Sequence, residues 1–170
     1  KSFITYTLGS TIEDLLLAGA ATINGTGNAS ANWMIGNTAN NKLTSLGGND
    51  TLDGGLGNDT MTGGTGSDTF VKHSIAEGLD TITDFQAGWG ADVLDIANML
   101  VGYDSLTSNI NDFVNFASSG KNTTVMIDVD GTGTDAVFVD SIILTGVNNI
   151  SVDLMLGLGN LVAGDPTLVA

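Results

Sequence analysis

Three carboxylates, Asp50, Asp59 and Asp68, stand nine residues apart, each preceded by glycines. The last two lie in Gly54-Gly55-Leu56-Gly57-Asn58-Asp59-Thr60-Met61-Thr62 and Gly63-Gly64-Thr65-Gly66-Ser67-Asp68-Thr69-Phe70-Val71, which abut without a gap. Both read G-G-x-G-x-D-x-U-x, with U a large apolar residue. At this chain's Gly and Asp usage, two such matches in register cost about 10⁻⁷ per starting position, which sets chance aside. The period extends backwards with decay: Ser45 to Asp53 keeps Gly48, Asp50 and Leu52, Gly36 to Thr44 keeps Asn41 and Leu43, and Gly27 to Ile35 keeps Asn32 and Met34. Carboxylates beside exposed backbone carbonyls, at flexible spacing and without His or Cys, suit Ca²⁺ better than Zn²⁺ or Mg²⁺.

The elements that must hold these oxygens follow from the same nine residues. Glycine at the first, second and fourth positions lets the backbone turn tightly, so six residues form a turn and the last three form a short strand with U pointing inward. Two nonapeptides make one coil. Stacked coils then place Met34, Leu52 and Phe70 in one inner ladder and Leu43 and Met61 in the other. One apolar side chain per nine residues is a thin core, too little to offset the ordering entropy. Bound cations supply the difference: at a concentration some tenfold above a Kd of about 10⁻⁴ M, each site adds about 1.4 kcal/mol, and several sites sum. Without metal, Asp50 and Asp68 repel, and the roll is expected to loosen or unfold.

These nonapeptides resemble the RTX (hemolysin-type) calcium-binding repeats of proteins exported by Gram-negative type I secretion systems. The resemblance implies an all-β chain: a right-handed parallel β-roll with a C-terminal β-rich cap containing short helices. It also implies Ca²⁺ ions between turns one coil apart, held by sixth-position Asp side chains and by carbonyls. Carried over, one site takes Asp50 and Asp68 with the carbonyls of Leu46, Gly48, Gly63 and Thr65. A second takes Asp59 with Gly54 and Leu56, facing Asn41, where a neutral amide and Ala39 at a Gly position weaken it. A third takes Gly55, Gly57 and Asp59 against the next turn, Lys72-His73-Ser74-Ile75-Ala76-Glu77-Gly78, which lacks the glycines and brings Asp80 three residues late for the frame.

Beyond the repeats, Asp80-Thr81-Ile82-Thr83-Asp84-Phe85 and Ala91-Asp92-Val93-Leu94-Asp95-Ile96 alternate in polarity and read as strands closing the roll. They are similar to the segment after the last nonapeptide in RTX proteins, above all in the C-terminal domain of large type I secreted adhesins. The stretch 109–116 reads as a helical turn, 121–130 with 136–144 as a hairpin, and Ser151 as the N-cap of a short helix through Leu158, with Asp153 near its positive end. Upstream, 12–17 and 21–29 resemble degenerate coils leading into such repeats. The chain thus divides into degenerate coils (1–44), a calcium-binding roll (45–80) and a cap with the secretion-signal region (81–170). The family's uncleaved export signal corresponds by position to the segment ending Asp165-Pro166-Thr167-Leu168-Val169-Ala170. The expected partners are calcium ions and, during export, the type I exporter, and the expected location is outside the cell or on its surface.

Other chemistries fare worse. The loop Asp128-Val129-Asp130-Gly131-Thr132-Gly133-Thr134-Asp135 has the acids of an EF-hand at positions one and three, but Val139 stands where a bidentate Glu is required. A solvated hairpin tip is favoured there over a weak Ca²⁺ loop of Asp128, Asp130 and Asp135. His73 is the only histidine, so no histidine-based triad or zinc site can be assembled, and a surface or cap role suits it. Asp92 with Asp95 makes a poor glycosidase pair in a chain so rich in carboxylates. Outward Thr51 and Thr69 on one sheet and Thr60 on the other reflect β-propensity rather than a binding array. Trp33, outward beside Met34, is expected to pack under the N-terminal segment.

Whole-chain composition agrees. The 170 residues carry 19 Asp+Glu against 4 Lys+Arg, a net charge of −15, and the basic residues are all lysines: Lys1, Lys42, Lys72 and Lys121. Such a field repels nucleic acid and anionic membranes. No Cys means no disulfide and no thiolate site, and the longest apolar run, Leu15 to Ala21, is too short to span a bilayer. Opening on Lys1 without a signal-like stretch, the chain reads as a fragment of something longer. The expected function is a non-catalytic, calcium-dependent folding and export module of a large adhesin. The alternative is the C-terminal module of a secreted protease, lipase or polysaccharide-modifying enzyme.

Overall fold

The computed structural model describes residues 1–104, 108–131, 137–148, 150–151, 155–156 and 161–162. Each nonapeptide contributes its x-U-x triplet as a strand: β4 (Trp33–Ile35), β5 (Lys42–Thr44), β6 (Thr51–Asp53), β7 (Thr60–Thr62) and β8 (Thr69–Val71). Three shorter or degenerate strands precede them, β1 (Tyr6–Thr7), β2 (Asp14–Leu16) and β3 (Gly25–Thr26). After them come β9 (Asp80–Ile82), β10 (Val93–Asp95), β11 (Val114–Ser119), β12 (Asn122–Ile127), β13 (Val139–Leu144) and β14 (Leu161–Val162). Alternate strands fall on opposite sides of the roll. One sheet runs β14-β10-β8-β6-β4-β2, and the other runs β1-β3-β5-β7-β9-β13-β12-β11. Pairing through the roll is parallel, whereas β11, β12 and β13 are antiparallel to one another.

The inner ladders form as the repeat requires. Leu15, Met34, Leu52, Phe70, Leu94 and Leu161 pair in sequence along one sheet. Gly25, Leu43, Met61, Ile82 and Leu144 do so along the other. Gly25 takes an inward place because a Cβ there would stand 2.7 Å from Leu15 Cδ2, so the facing ladder fills the space itself. Phe85 continues the core, its ring 6.1 Å from that of Phe70, and the β11–β13 meander closes the end of the roll with Val114, Val125, Ile127 and Ile142. Thr51 and Thr69 are neighbours on one outer face and Thr60 lies on the other.

Several expectations need correction. The strands at 80–85 and 91–96 shrink to Asp80–Ile82 and Val93–Asp95, because Asp84 and Asp92 turn their side chains to backbone N–H groups instead of continuing the pleat. The helical turn is confined to Ile110–Asp112, with Asn109 accepting from Asn111 N at its start, and from Val114 the chain is strand. The hairpin of β12 and β13 is present, but β12 also pairs with β11 through Gly120, a tight connection whose signal was not read. Trp33 is not covered by the N-terminal segment: it is 56% exposed, because β2 pairs beside it at the sheet edge and does not cross over it. The expectations for Asp135, for most of the helix through Leu158 with Asp153, and for 165–170 lie outside the described residues.

Candidate metal centre

The sixth-position side chains form two columns up the roll, one for each set of turns. In each column the carboxylate reaches back one coil, and one of its oxygens accepts the backbone N–H of the corresponding residue there. Asp50 Oδ1 accepts from Asn32 N (2.7 Å), Asp68 Oδ1 from Asp50 N (2.9 Å) and Asp92 Oδ1 from Asp68 N (3.0 Å). In the other column Asp59 Oδ1 accepts from Asn41 N (2.7 Å) and Asp80 Oδ1 from Asp59 N (2.9 Å). Asp80 is therefore in frame despite its three extra residues. Ser74, Ile75, Ala76 and Glu77 absorb them in a 3-10 turn that Ser74 caps, and Thr81 pairs with Thr60 in register.

The second oxygens distinguish the levels. Oδ2 of Asp50, Asp59 and Asp68 is buried with no hydrogen-bond partner, in residues only 1% exposed. A buried carboxylate oxygen left so is costly, and a bound cation or a proton satisfies it. Burial raises the pKa of all three carboxyls, Asp59 to about 7 and Asp68 to about 6. Asp80 and Asp92 are also raised by burial, but their second oxygens are engaged: Asp80 Oδ2 takes Lys72 Nζ at 2.5 Å, and Asp92 Oδ2 takes Gln86 N at 2.8 Å.

The glycines shape the backbone around these oxygens. At Gly64 (φ +97°) and Gly66 (φ +132°) a Cβ would fall on the carbonyl oxygens of Leu46 and Gly48, two of the oxygens expected to hold metal. Leu46 itself adopts φ +81° without being glycine, a strained conformation held by the coils on either side. Leu46 O accepts from Thr65 N, Thr65 O from Gly48 N and Gly63 O from Ser45 Oγ, and each carbonyl has a second lone pair to offer. These carbonyls thus lie along the contact between adjacent turns, the same two turns that Asp68 joins through Asp50 N. Among the described residues no three His, Asp or Glu side chains converge, so a metal ion held here would have to draw on two carboxylates and main-chain oxygens. That donor set fits Ca²⁺, which takes six to eight oxygens in flexible geometry.

Asn41, expected to face Asp59, turns its amide to the backbone instead. Its Oδ1 accepts from Asn37 N (2.7 Å) and its Nδ2 donates to Ile23 O (2.6 Å). Asn32 closes its own turn in the same way, accepting from Asn28 N (2.8 Å), while Asn28 Oδ1 accepts from Ser30 N. Where Asn replaces Asp, the amide supplies both donor and acceptor, and the turn closes without a cation. Two carboxylates that tie the turns together were missed by the sequence reading, Asp84 and Asp92. Asp84 accepts from Gly63 N and Gly64 N (3.0 and 2.8 Å), and Asp92 completes the first column. The surviving signal for Asp92 is the motif's tail, D-x-U-x, in Asp92-Val93-Leu94-Asp95. His73 sits at the surface between Asp53 (3.3 Å) and Asn98 (3.0 Å).

The RTX calcium-binding nonapeptide repeat (4 copies) matches residues 26–61 and 35–70. No curated protein matches the chain. Among 27 matching chains of solved structures is the solution structure of the AlgE6R3 subunit from the Azotobacter vinelandii mannuronan C5-epimerase. It is 21% identical with a TM-score of 0.60, over 96% of this chain and 90% of that one, a likeness of fold. Motif, orphaned carboxylate oxygens and coil geometry agree: residues 26–70 are RTX calcium-binding nonapeptide repeats, carried in this chain on a β-roll.

Proposed function

We propose that the chain is a non-catalytic module whose calcium-lined turns fold when they bind Ca²⁺ outside the cell and stay unfolded, leaving the chain exportable, where Ca²⁺ is scarce. Residues 45–80 are its calcium-binding part and 81–170 its cap and secretion-signal region, at the C-terminal end of a large type I secreted adhesin. The observation that carries the reading is the row of buried, partnerless Oδ2 atoms on Asp50, Asp59 and Asp68. The proposed ligands are Asp50 and Asp68 with the carbonyls of Leu46, Gly48, Gly63 and Thr65, and Asp59 with those of Gly54 and Leu56, while at the level of Gly55, Gly57 and Asp80 the Asp80 carboxylate is already taken by the ammonium of Lys72. His73, the one histidine, is engaged by Asp53 and Asn98, which supports a role for it in the cap and not in catalysis.

A second reading, the module of a secreted polysaccharide-modifying enzyme, draws support from the likeness to AlgE6R3, a subunit of a mannuronan C5-epimerase. Both parentages use the same calcium chemistry. Isothermal titration with Ca²⁺ and with Mg²⁺ tests that chemistry: saturable Ca²⁺ binding with little Mg²⁺ binding is expected, and absence of Ca²⁺ binding at millimolar concentration would overturn it. A passenger fused ahead of this chain, expressed with a type I exporter, tests the export role, which fails if the passenger stays in the cytosol.

A further inference from the structure

The first position of each nonapeptide points at the sixth-position carboxylate of its own turn. A Cβ on Gly54 would stand 2.5 Å from Asp59 Oδ2, and one on Gly63 would fall on Asp68 Oδ2. Nine residues on, the first position holds not glycine but Lys72. Its side chain follows the same direction, and its Nζ lies 2.5 Å from Asp80 Oδ2, the oxygen equivalent to those left partnerless on Asp59 and Asp68. Both partners are buried, their side chains 1% and 3% exposed. The backbone of Lys72 is fixed by donating to Asp95 O (2.9 Å), and the three additional residues of turn 72–80 give the long side chain its room.

We propose that Lys72 is a resident cation that takes the place of Ca²⁺ between turns 54–59 and 72–80, so that this level of the roll is closed without metal. The inference rests on calcium binding by the remaining levels. An ammonium is a compact charge with three donors, able to neutralise a carboxylate where a hard cation would otherwise sit. Stabilisation by free Ca²⁺ varies with its concentration, whereas a tethered lysine is always present. The coil carrying β9, on which β13 and the cap pair, is thereby fastened to the repeats in low calcium as well as in high. Calcium-dependent ordering is then confined to the levels lined by Asp50, Asp59 and Asp68 on their remaining faces. Removing the ammonium would leave Asp80 buried and uncompensated, a state that recruits an external cation.

Calcium titration of the 170-residue chain and of Lys72→Met tests this. The variant is expected to bind one more Ca²⁺ than the parent and to lose at least tenfold of the hydrogen-exchange protection at Thr81 N in chelator, recovered on adding Ca²⁺. An unchanged stoichiometry in a folded variant would overturn the proposal. Should Lys72→Met fail to fold at all, the parent decides: ¹⁵N-detected lysine Nζ spectra should keep one slowly exchanging buried ammonium at saturating Ca²⁺. Its loss on calcium addition would show the lysine displaced by the ion and overturn the proposal. A parent that binds no Ca²⁺ fails at the earlier reading, and the replacement idea falls with it.

Discussion

A carboxylate with one oxygen on a backbone N–H and the other buried without a partner is a demand for a positive charge, and Asp50, Asp59 and Asp68 each make it. A proton can also meet that demand, and so burial moves Asp59 to about 7 and Asp68 to about 6. These folded values lie above those of the unfolded chain, so the metal-free roll binds more protons than the unfolded chain does. The stability they contribute is fully present below about pH 4 and is lost as pH rises through 6 to 7. In chelator, the far-UV β signal should therefore fall between pH 5 and pH 7.5, and a rise would contradict the assignment. Calcium competes with those protons, so the concentration for half-folding should increase as pH drops below 7. Asp68→Asn should weaken Ca²⁺ at least tenfold, about 1.4 kcal/mol, in a calcium-buffered circular dichroism titration. The same change should leave the chelated protein no less stable, because Asn32 and Asn41 show how an amide closes such a turn unaided.

Turns and strands are specified by different halves of the nonapeptide, and they fail separately. The triplet x-U-x survives wherever an inward apolar residue recurs, which is why Leu15, Leu94 and Leu144 extend the ladders beyond the recognisable repeats. The glycine half survives only where turns press on one another. Gly64→Ala should lower urea stability in Ca²⁺ by about 1–3 kcal/mol, since its Cβ meets the Leu46 carbonyl at φ +97°. Gly9→Ala, with open space around it, should change stability little, and equal losses at both positions would contradict the packing described. The ladders and the Asp50–Asp68 level were legible in the sequence because period nine fixes both strand register and carboxylate column. Asp92 and Asp84 were not, because Asp92 follows Asp68 by 24 residues instead of 18 and the intervening loop breaks the period. The replacement of metal by Lys72 was hidden for another reason: only the direction of the first-position Cβ shows that a lysine there meets Asp80.

At the scale of the whole molecule, a net charge of −15 is spread over a roll whose core is two single-file ladders. The neutral amide turns at 28–32 and 37–41 close one end, and Lys72, Asp84 and Asp92 close the other with the chain's own donors. On the proposed reading calcium is left with the turns in between, where Asp50 faces Asp68 and Asp59 faces the backbone of Asn41 across adjacent coils. The proposal then couples folding of this middle to the ion, with the cap attached at one end as a fixed support. Sedimentation velocity with far-UV circular dichroism, in millimolar Ca²⁺ and again after exhaustive chelation at pH 7.5, tests this most directly. The account predicts a compact β-rich species in calcium and, on chelation, an expanded species with much of the β signal lost. Identical sedimentation and spectra in the two conditions would contradict it.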